Sequence, residues 1–173
     1  MGVSSKVISV AAIFGALWGV INYLIAPVFF RATRLPFFCD IVGLLALFSA
    51  IWVARKFGTG ILVGITATVV TLVLRPGAFY FIGFTIASVF IDVLTYIVKY
   101  KRVFGSQLYI FVPIIGVVSA FIAGIIIGAF FMGYTTIEAV IWWGILHGVG
   151  GLLASIIIVP VIKGLEKRIG PPE

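Results

Sequence analysis

Six apolar runs, separated by loops too short to hold another domain, constrain this chain more than any other feature. They lie at residues 7–30, 35–54, 58–74, 78–98, 108–132 and 139–162. Each is near the ~20 residues that an α-helix needs to cross ~30 Å of hydrocarbon. None alternates apolar and polar residues as a membrane β-strand does, and irregular backbone in lipid would leave its polar groups unsatisfied. The sequence therefore predicts an all-α integral membrane protein, a single six-transmembrane-helix bundle over 1–173. Composition agrees: 63% of the 173 residues are hydrophobic and only 10% are charged, against ~25% charged in ordinary globular domains.

The net charge of +7 would suggest nucleic acid in a soluble chain. Here the basic residues sit in short loops between apolar runs, so they set orientation and no nucleic-acid partner is expected. Lys6, Arg55, Lys56, Lys99, Lys101, Arg102, Lys163, Lys167 and Arg168 fall on one side, and Arg31, Arg34 and Arg75 on the other. Nine against three predicts both termini in the cytoplasm. The first run, at 24 residues, exceeds the ~7–15 of a signal-peptide core, and Lys6 stands where a myristoylation motif needs Ser or Thr. The single cysteine, Cys39, excludes an internal disulfide and a cysteine-based metal site.

Along one face of the first run, Ala12, Gly15, Ala16, Gly19, Asn22, Tyr23 and Ala26 recur at spacings of three and four, which stacks them into a stripe. Its first half is small enough for another helix to press its backbone close, either inside the bundle or from outside. Its second half carries an amide and a phenol, which suit a ligand or polar neighbour better than lipid. Gly60 and Gly64, Gly124 and Gly128, and Gly144 and Gly148 repeat the small-residue spacing in later runs, where packing within the bundle is expected.

Four ionisable groups fall inside or at the edges of the runs: Asp40, Asp92, Glu138 and His147. Each costs ~2.5–3.5 kcal/mol or more at mid-membrane, so each is expected to face the bundle interior or a wet cavity. Asp40 and Glu138 open helices on the outer side, where a carboxylate is either a solvated helix start favoured by the macrodipole or a ligand contact. Asp92 is expected to pair with a cytoplasmic-side cation or to hydrogen-bond another helix. His147 is expected to be a packed, hydrogen-bonded histidine or a ligand contact. Outer-side aromatics include Tyr23, Tyr80, Trp142 and Trp143, beyond what an interfacial belt alone explains. Together with Glu138 and His147, the two tryptophans suggest an enclosure for a flat cationic or hydrogen-bonding heterocycle. No P-loop, G-x-S-x-G or H-E-x-x-H pattern occurs, so no ATP site, enzyme activity, metal or cofactor is expected on this chain.

The pattern resembles the substrate-binding S component of energy-coupling factor (ECF) vitamin transporters. The resemblance rests on six helices in a short chain, termini inside, and the small stripe Ala12-Ile13-Phe14-Gly15-Ala16 on helix 1. The middle looks like the thiamin/hydroxymethylpyrimidine branch: Asp40 opening helix 2, the turn Ala54-Arg55-Lys56-Phe57-Gly58, the run from Phe79 to Asp92, and Lys99-Tyr100-Lys101-Arg102. The likeness covers roughly residues 7–132. It implies a multi-pass protein of a prokaryotic cell membrane that binds a vitamin or its precursor from outside. It further implies docking on a membrane coupling protein with two cytoplasmic ATPase subunits through Ala12, Gly15, Ala16 and Gly19. Gly2 replaces the histidine characteristic of nickel and cobalt S components. For a thiamin-type ligand, Asp40 and Glu138 are expected to face the amino-bearing or cationic ring, with Trp142, Trp143 and Tyr80 stacking on it and Asn22, Tyr23 and His147 as further candidates. The rivals are an S component for another vitamin, a stand-alone ion-coupled carrier using Asp92 or His147, and a membrane subunit that transports nothing.

Overall fold

The computed structural model describes residues 4–172, and every regular element among them is helical. The elements are α1 (Ser5–Thr33), α2 (Phe37–Ala54), α3 (Thr59–Leu74), α4 (Phe81–Val98), a single turn α5 (Tyr100–Val103), α6 (Leu108–Phe130) and α7 (Ile137–Ile169). Gly2 lies outside the described residues. Five of the helices are long and apolar enough to cross a membrane. The exception is α3, which has 16 residues and so rises only about 24 Å at 1.5 Å per residue. It nevertheless runs the length of its neighbour. The start of α2 and the residue after α3, Arg75, meet at one cavity, so α3 must return along α2 to the end from which α2 began.

The ends follow local chemistry. Ser4 accepts from the Val7 amide at the start of α1 and Thr136 from the Ala139 amide at the start of α7, each satisfying one orphan donor of a first turn. The turn joining α2 to α3 needs left-handed backbone at Gly58, φ 91°, which glycine adopts without penalty. At its far end α7 runs seven residues past the expected limit of 162, to Ile169. Lys163 pairs with Glu166 at 3.1 Å on that extension, and Lys167 and Arg168 sit in its last turn, where cations suit the helix dipole.

The central helix is α2. It is 61% buried, more than any other long helix, and it packs against α1, α3, α4, α6 and α7. Neighbouring pairs α1–α3, α3–α4, α4–α6 and α6–α7 complete the wall around it, while the seam between α1 and α7 lacks extensive packing. Hydropathy does not single out α2, because lipid and protein interior are equally apolar. Close approach does. A methyl on Gly15 would lie 2.9 Å from the Val63 carbonyl oxygen, and one on Gly19 3.0 Å from that of Ala67. Both glycines are thus spent on α1–α3 packing. Gly60 and Gly64 admit Asp92 and Ser88 of α4 in the same way, and Gly124 admits Gly144 of α7, whose Cα would lie 2.8 Å from a methyl at Gly124. Lipid tails give helices no hydrophobic reason to associate, so such contacts hold the bundle together.

Asp92 is fully buried. Its Oδ2 accepts from the Ile61 amide at 3.2 Å, so a carboxylate on α4 caps the open first turn of α3. That is the helix-to-helix hydrogen bond expected of it, and it places Asp92 far along α4 from the cavity described next.

Candidate functional site

A cavity of about 220 Å³ opens where α1 ends, α2 begins, α3 ends, α4 begins, α6 ends and α7 begins. Its walls are Ala26, Pro27 and Phe30 from α1, Pro36 and Cys39 at the start of α2, Tyr80 and Phe84 at the start of α4, Ile127 and Met132, and Trp143 and His147 of α7. Arg31 and Arg75 line it as well. Both are exposed along much of their length, and among the described residues neither is in an ion pair. No carboxylate among the described residues lines the cavity.

The deepest polar feature is an ion pair crossing the bundle. Nδ1 of His147 lies 2.7 Å from Oδ1 of Asp40, and both side chains are buried. Asp40 is therefore no solvated helix start: α2 carries it inward against α7, where Gly150 leaves room for its carboxylate. A pair with no net charge is the form a low-dielectric interior penalises least, and in that form Nε2 carries a hydrogen whichever of Oδ1 and Nδ1 holds the shared proton. Nε2 has no partner among the described residues, and neither does the buried indole N–H of Trp143. The imidazole is wedged between Phe84 and Trp143, with ring centroids at 5.6 and 5.5 Å, and Phe30 closes on Trp143 edge-on at 6.1 Å. Such edge contacts are worth ~0.5–1.5 kcal/mol each and hold the imidazole ring in place. The outcome is a cavity with aromatic walls, two buried ring nitrogens without partners on residues of those walls, and two arginines among its lining residues.

Of the residues expected at the site, the structure brings together Asp40, Tyr80, Trp143 and His147, with Asp40 acting through His147. The others lie elsewhere. Trp142 is 61% exposed, and Glu138, exposed too, lies one turn before it on the same outward face of α7. A helix advances 100° per residue, so Trp143 and His147, four apart, share the inward face that Trp142 cannot. Tyr23 is turned outward, at 38% exposure, while Asn22 is buried one turn below Ala26 without lining the cavity. The expected docking stripe divides likewise: Gly15 and Gly19 are buried under α3, which removes them from any external surface, whereas Ala12 is exposed and Ala16 half-buried.

Sequence reasoning passed over Arg31, Arg75, Cys39 and Phe84 as cavity residues. Phe84 follows Tyr80 by one helical turn, a spacing that puts both on one face. The two arginines carried a signal as well. They are two of the only three basic residues at the end of the bundle opposite the nine, where orientation alone gives no reason for cations. No family model matches the sequence, and no curated protein and no solved structure matches it, so the functional argument rests on this geometry.

Proposed function

We propose that this chain is the substrate-binding S component of an ECF-type importer, a multi-pass protein of a prokaryotic cell membrane that takes up a small vitamin or vitamin precursor. The carrying observation is where the cavity opens. It lies at the end of the bundle that bears three basic residues, opposite the end that bears nine, and the positive-inside rule turns that end outward. Six crossings, with α3 as the short third, put both termini inside. A pocket that is open outside, deep enough to hold a ligand and built without any ATP-binding motif suits a capture subunit that borrows its energy. The membrane coupling protein and its two ATPase subunits would then dock at the other end of α1, where Ala12 and Ala16 remain at the surface. Of the expected substrates, the volume favours one the size of hydroxymethylpyrimidine over two-ring thiamin, since pockets for larger ligands run to ~300–1,000 Å³.

A specific observation also favours the rival carrier: the buried Asp40–His147 pair is the kind of intramembrane group that couples proton movement to transport. Asp92, the other candidate for that role, accepts at Oδ2 from the first turn of α3. Uptake that collapses with the proton gradient while ATP is held constant would support the carrier.

The site is tested by titrating the purified protein with hydroxymethylpyrimidine, thiamin and their carboxylated or phosphorylated single-ring analogues while following tryptophan fluorescence. Saturable quenching is expected with at least one of them, kept in Trp142→Phe and lost in Trp143→Phe. Quenching that survives in Trp143→Phe and vanishes in Trp142→Phe moves the site to the lipid-facing side of α7. No saturable response, confirmed by calorimetry, removes the vitamin-binding function.

A further inference from the structure

The cavity's charge is one-sided, and that narrows what it can hold. Resting on the substrate-binding role just proposed, we propose that the ligand is a small flat anion: a single aromatic or heteroaromatic ring bearing a carboxylate or phosphate. The anionic group lies against Arg31 and Arg75, and the ring lies among Trp143, Phe84 and Tyr80 with an acceptor atom toward His147.

Four observations carry this. Arg31 at the end of α1 and Arg75 after α3 come from separate parts of the chain and converge on one cavity, and neither is neutralised by a carboxylate among the described residues. Planar guanidinium groups bind carboxylate and phosphate oxygens in pairs of parallel hydrogen bonds. Asp40 does not line the cavity, and its Oδ1 is engaged by His147 at 2.7 Å. The unpartnered donors, Nε2 of His147 and the Trp143 indole N–H, call for acceptors such as a ring nitrogen or a carbonyl oxygen, because a buried donor left unpaired costs ~1–3 kcal/mol. A volume of about 220 Å³ suits one ring with short substituents. A thiazolium cation, such as the one thiamin carries, meets two like charges and no partner here. Of the two carboxylates expected to face such a ring, Glu138 is exposed on the outward face of α7 and Asp40 is engaged by His147.

The chain supplies its own reporter. Cys39 is the sole cysteine and lines the cavity, so the rate at which small thiol reagents modify it reads the local potential whatever the substrate is. In nanodisc-embedded protein, Cys39 is treated with the sulfonate-bearing and the trimethylammonium-bearing ethyl methanethiosulfonates, each rate divided by that of the same reagent with free 2-mercaptoethanol. The anionic reagent is expected to be favoured by at least about tenfold, the lower end of the gain a charged cleft gives to an oppositely charged reactant. The preference should vanish in Arg31→Gln/Arg75→Gln and persist in Arg31→Lys/Arg75→Lys. Benzoate should slow N-ethylmaleimide modification at lower concentration than benzamide or acetate, which lack the charge and the ring respectively. Equal or faster reaction with the cation, a preference that survives the double glutamine variant, or equal protection by benzamide each overturns the anion assignment while leaving the binding role standing. Absence of saturable binding by benzoate, benzamide and the single-ring ligands in fluorescence and calorimetry overturns the binding role itself.

Discussion

Asp40→Ala should be the most damaging single substitution in the half of the bundle that holds the cavity. It leaves the His147 imidazole buried with no partner for Nδ1, and breaking one side of a buried ion pair costs ~3–5 kcal/mol. Equilibrium unfolding in mixed micelles by increasing SDS, followed by tryptophan fluorescence, measures the loss. Replacing both partners with apolar groups of similar volume, Asp40→Leu/His147→Phe, should restore most of the stability, since a buried pair is no better for folding than good packing. Ligand binding should not return, because the N–H donor in the cavity wall is gone. Asp40→Asn separates the two roles further. The amide oxygen still accepts from Nδ1–H, so the fold should survive with a loss of about 1–3 kcal/mol. The neutral imidazole then offers a bare Nε2 lone pair where the native pair offers a hydrogen, and a ligand acceptor meets repulsion. Binding weakened by tenfold or more, about 1.4 kcal/mol, is expected in a protein that unfolds cooperatively. If the Leu/Phe double variant unfolds as easily as Asp40→Ala, packing rather than the ion pair explains the damage. If Asp40→Asn binds as the native protein does, the carboxylate charge is not needed for the donor character of the cavity, since a side-chain amide turned to donate to Nδ1 leaves the hydrogen on Nε2.

Gly124→Leu should have the second-largest effect. A methyl at Gly124 already lies 2.8 Å from Gly144 Cα and from His147 Cβ and Cδ2, closer than carbon atoms pack. An isobutyl group there must push α6 and α7 apart along their longest shared surface. Overpacking costs ~1–3 kcal/mol and sometimes more. Here the displacement falls on the helix that carries Trp143 and His147, so binding should be lost along with stability. Gly148→Ala is the internal control: the nearest atom to its added methyl is 3.7 Å away, an ordinary contact, and both stability and binding should stay near the native values. The same SDS unfolding and fluorescence titrations read both variants. A Gly124→Leu protein as stable as Gly148→Ala would mean that α6 and α7 do not pack at this distance.

The helices were legible because apolar length is a one-dimensional signal, and the runs placed every long helix within a few residues except the end of α7. There the apolar stretch stops at Ile162, but the helix continues through a largely polar segment with a Lys163–Glu166 pair. The short turn α5 was hidden in a basic loop because its four residues, Tyr100–Val103, are too few to show a helical period. The glycines were legible as packing surfaces, though not which helix would use them: Gly15 and Gly19 serve α3, and the sequence left an outside partner equally open. Asp92 behaved as a buried polar group should, finding the donors of a neighbouring helix start.

The site was only half legible. Asp40 and His147 lie 107 residues apart, and no local spacing announces that pair. Trp142 and Trp143 are adjacent in sequence but point opposite ways, and the one-turn link from Glu138 to Trp142 identified a common face without telling that it faces outward. The arginines were counted for orientation, which hid their convergence at the cavity. A basic residue that runs against the charge bias of its own side is, on that ground alone, a candidate for a binding role.

The most direct test of the central claim, that the cavity is the outward-facing binding site, is the sidedness of Cys39. Membrane-impermeant sulfonate-bearing methanethiosulfonate is applied to right-side-out vesicles and, separately, to inverted ones, and labelling is scored by mass after quenching. With the nine basic residues inside and the cavity outside, Cys39 should be labelled in right-side-out vesicles and spared in inverted ones, with Cys39→Ser giving no signal in either. Labelling from the inverted vesicles alone would turn the bundle over, place the cavity at the cytoplasmic face, and contradict capture of an external substrate.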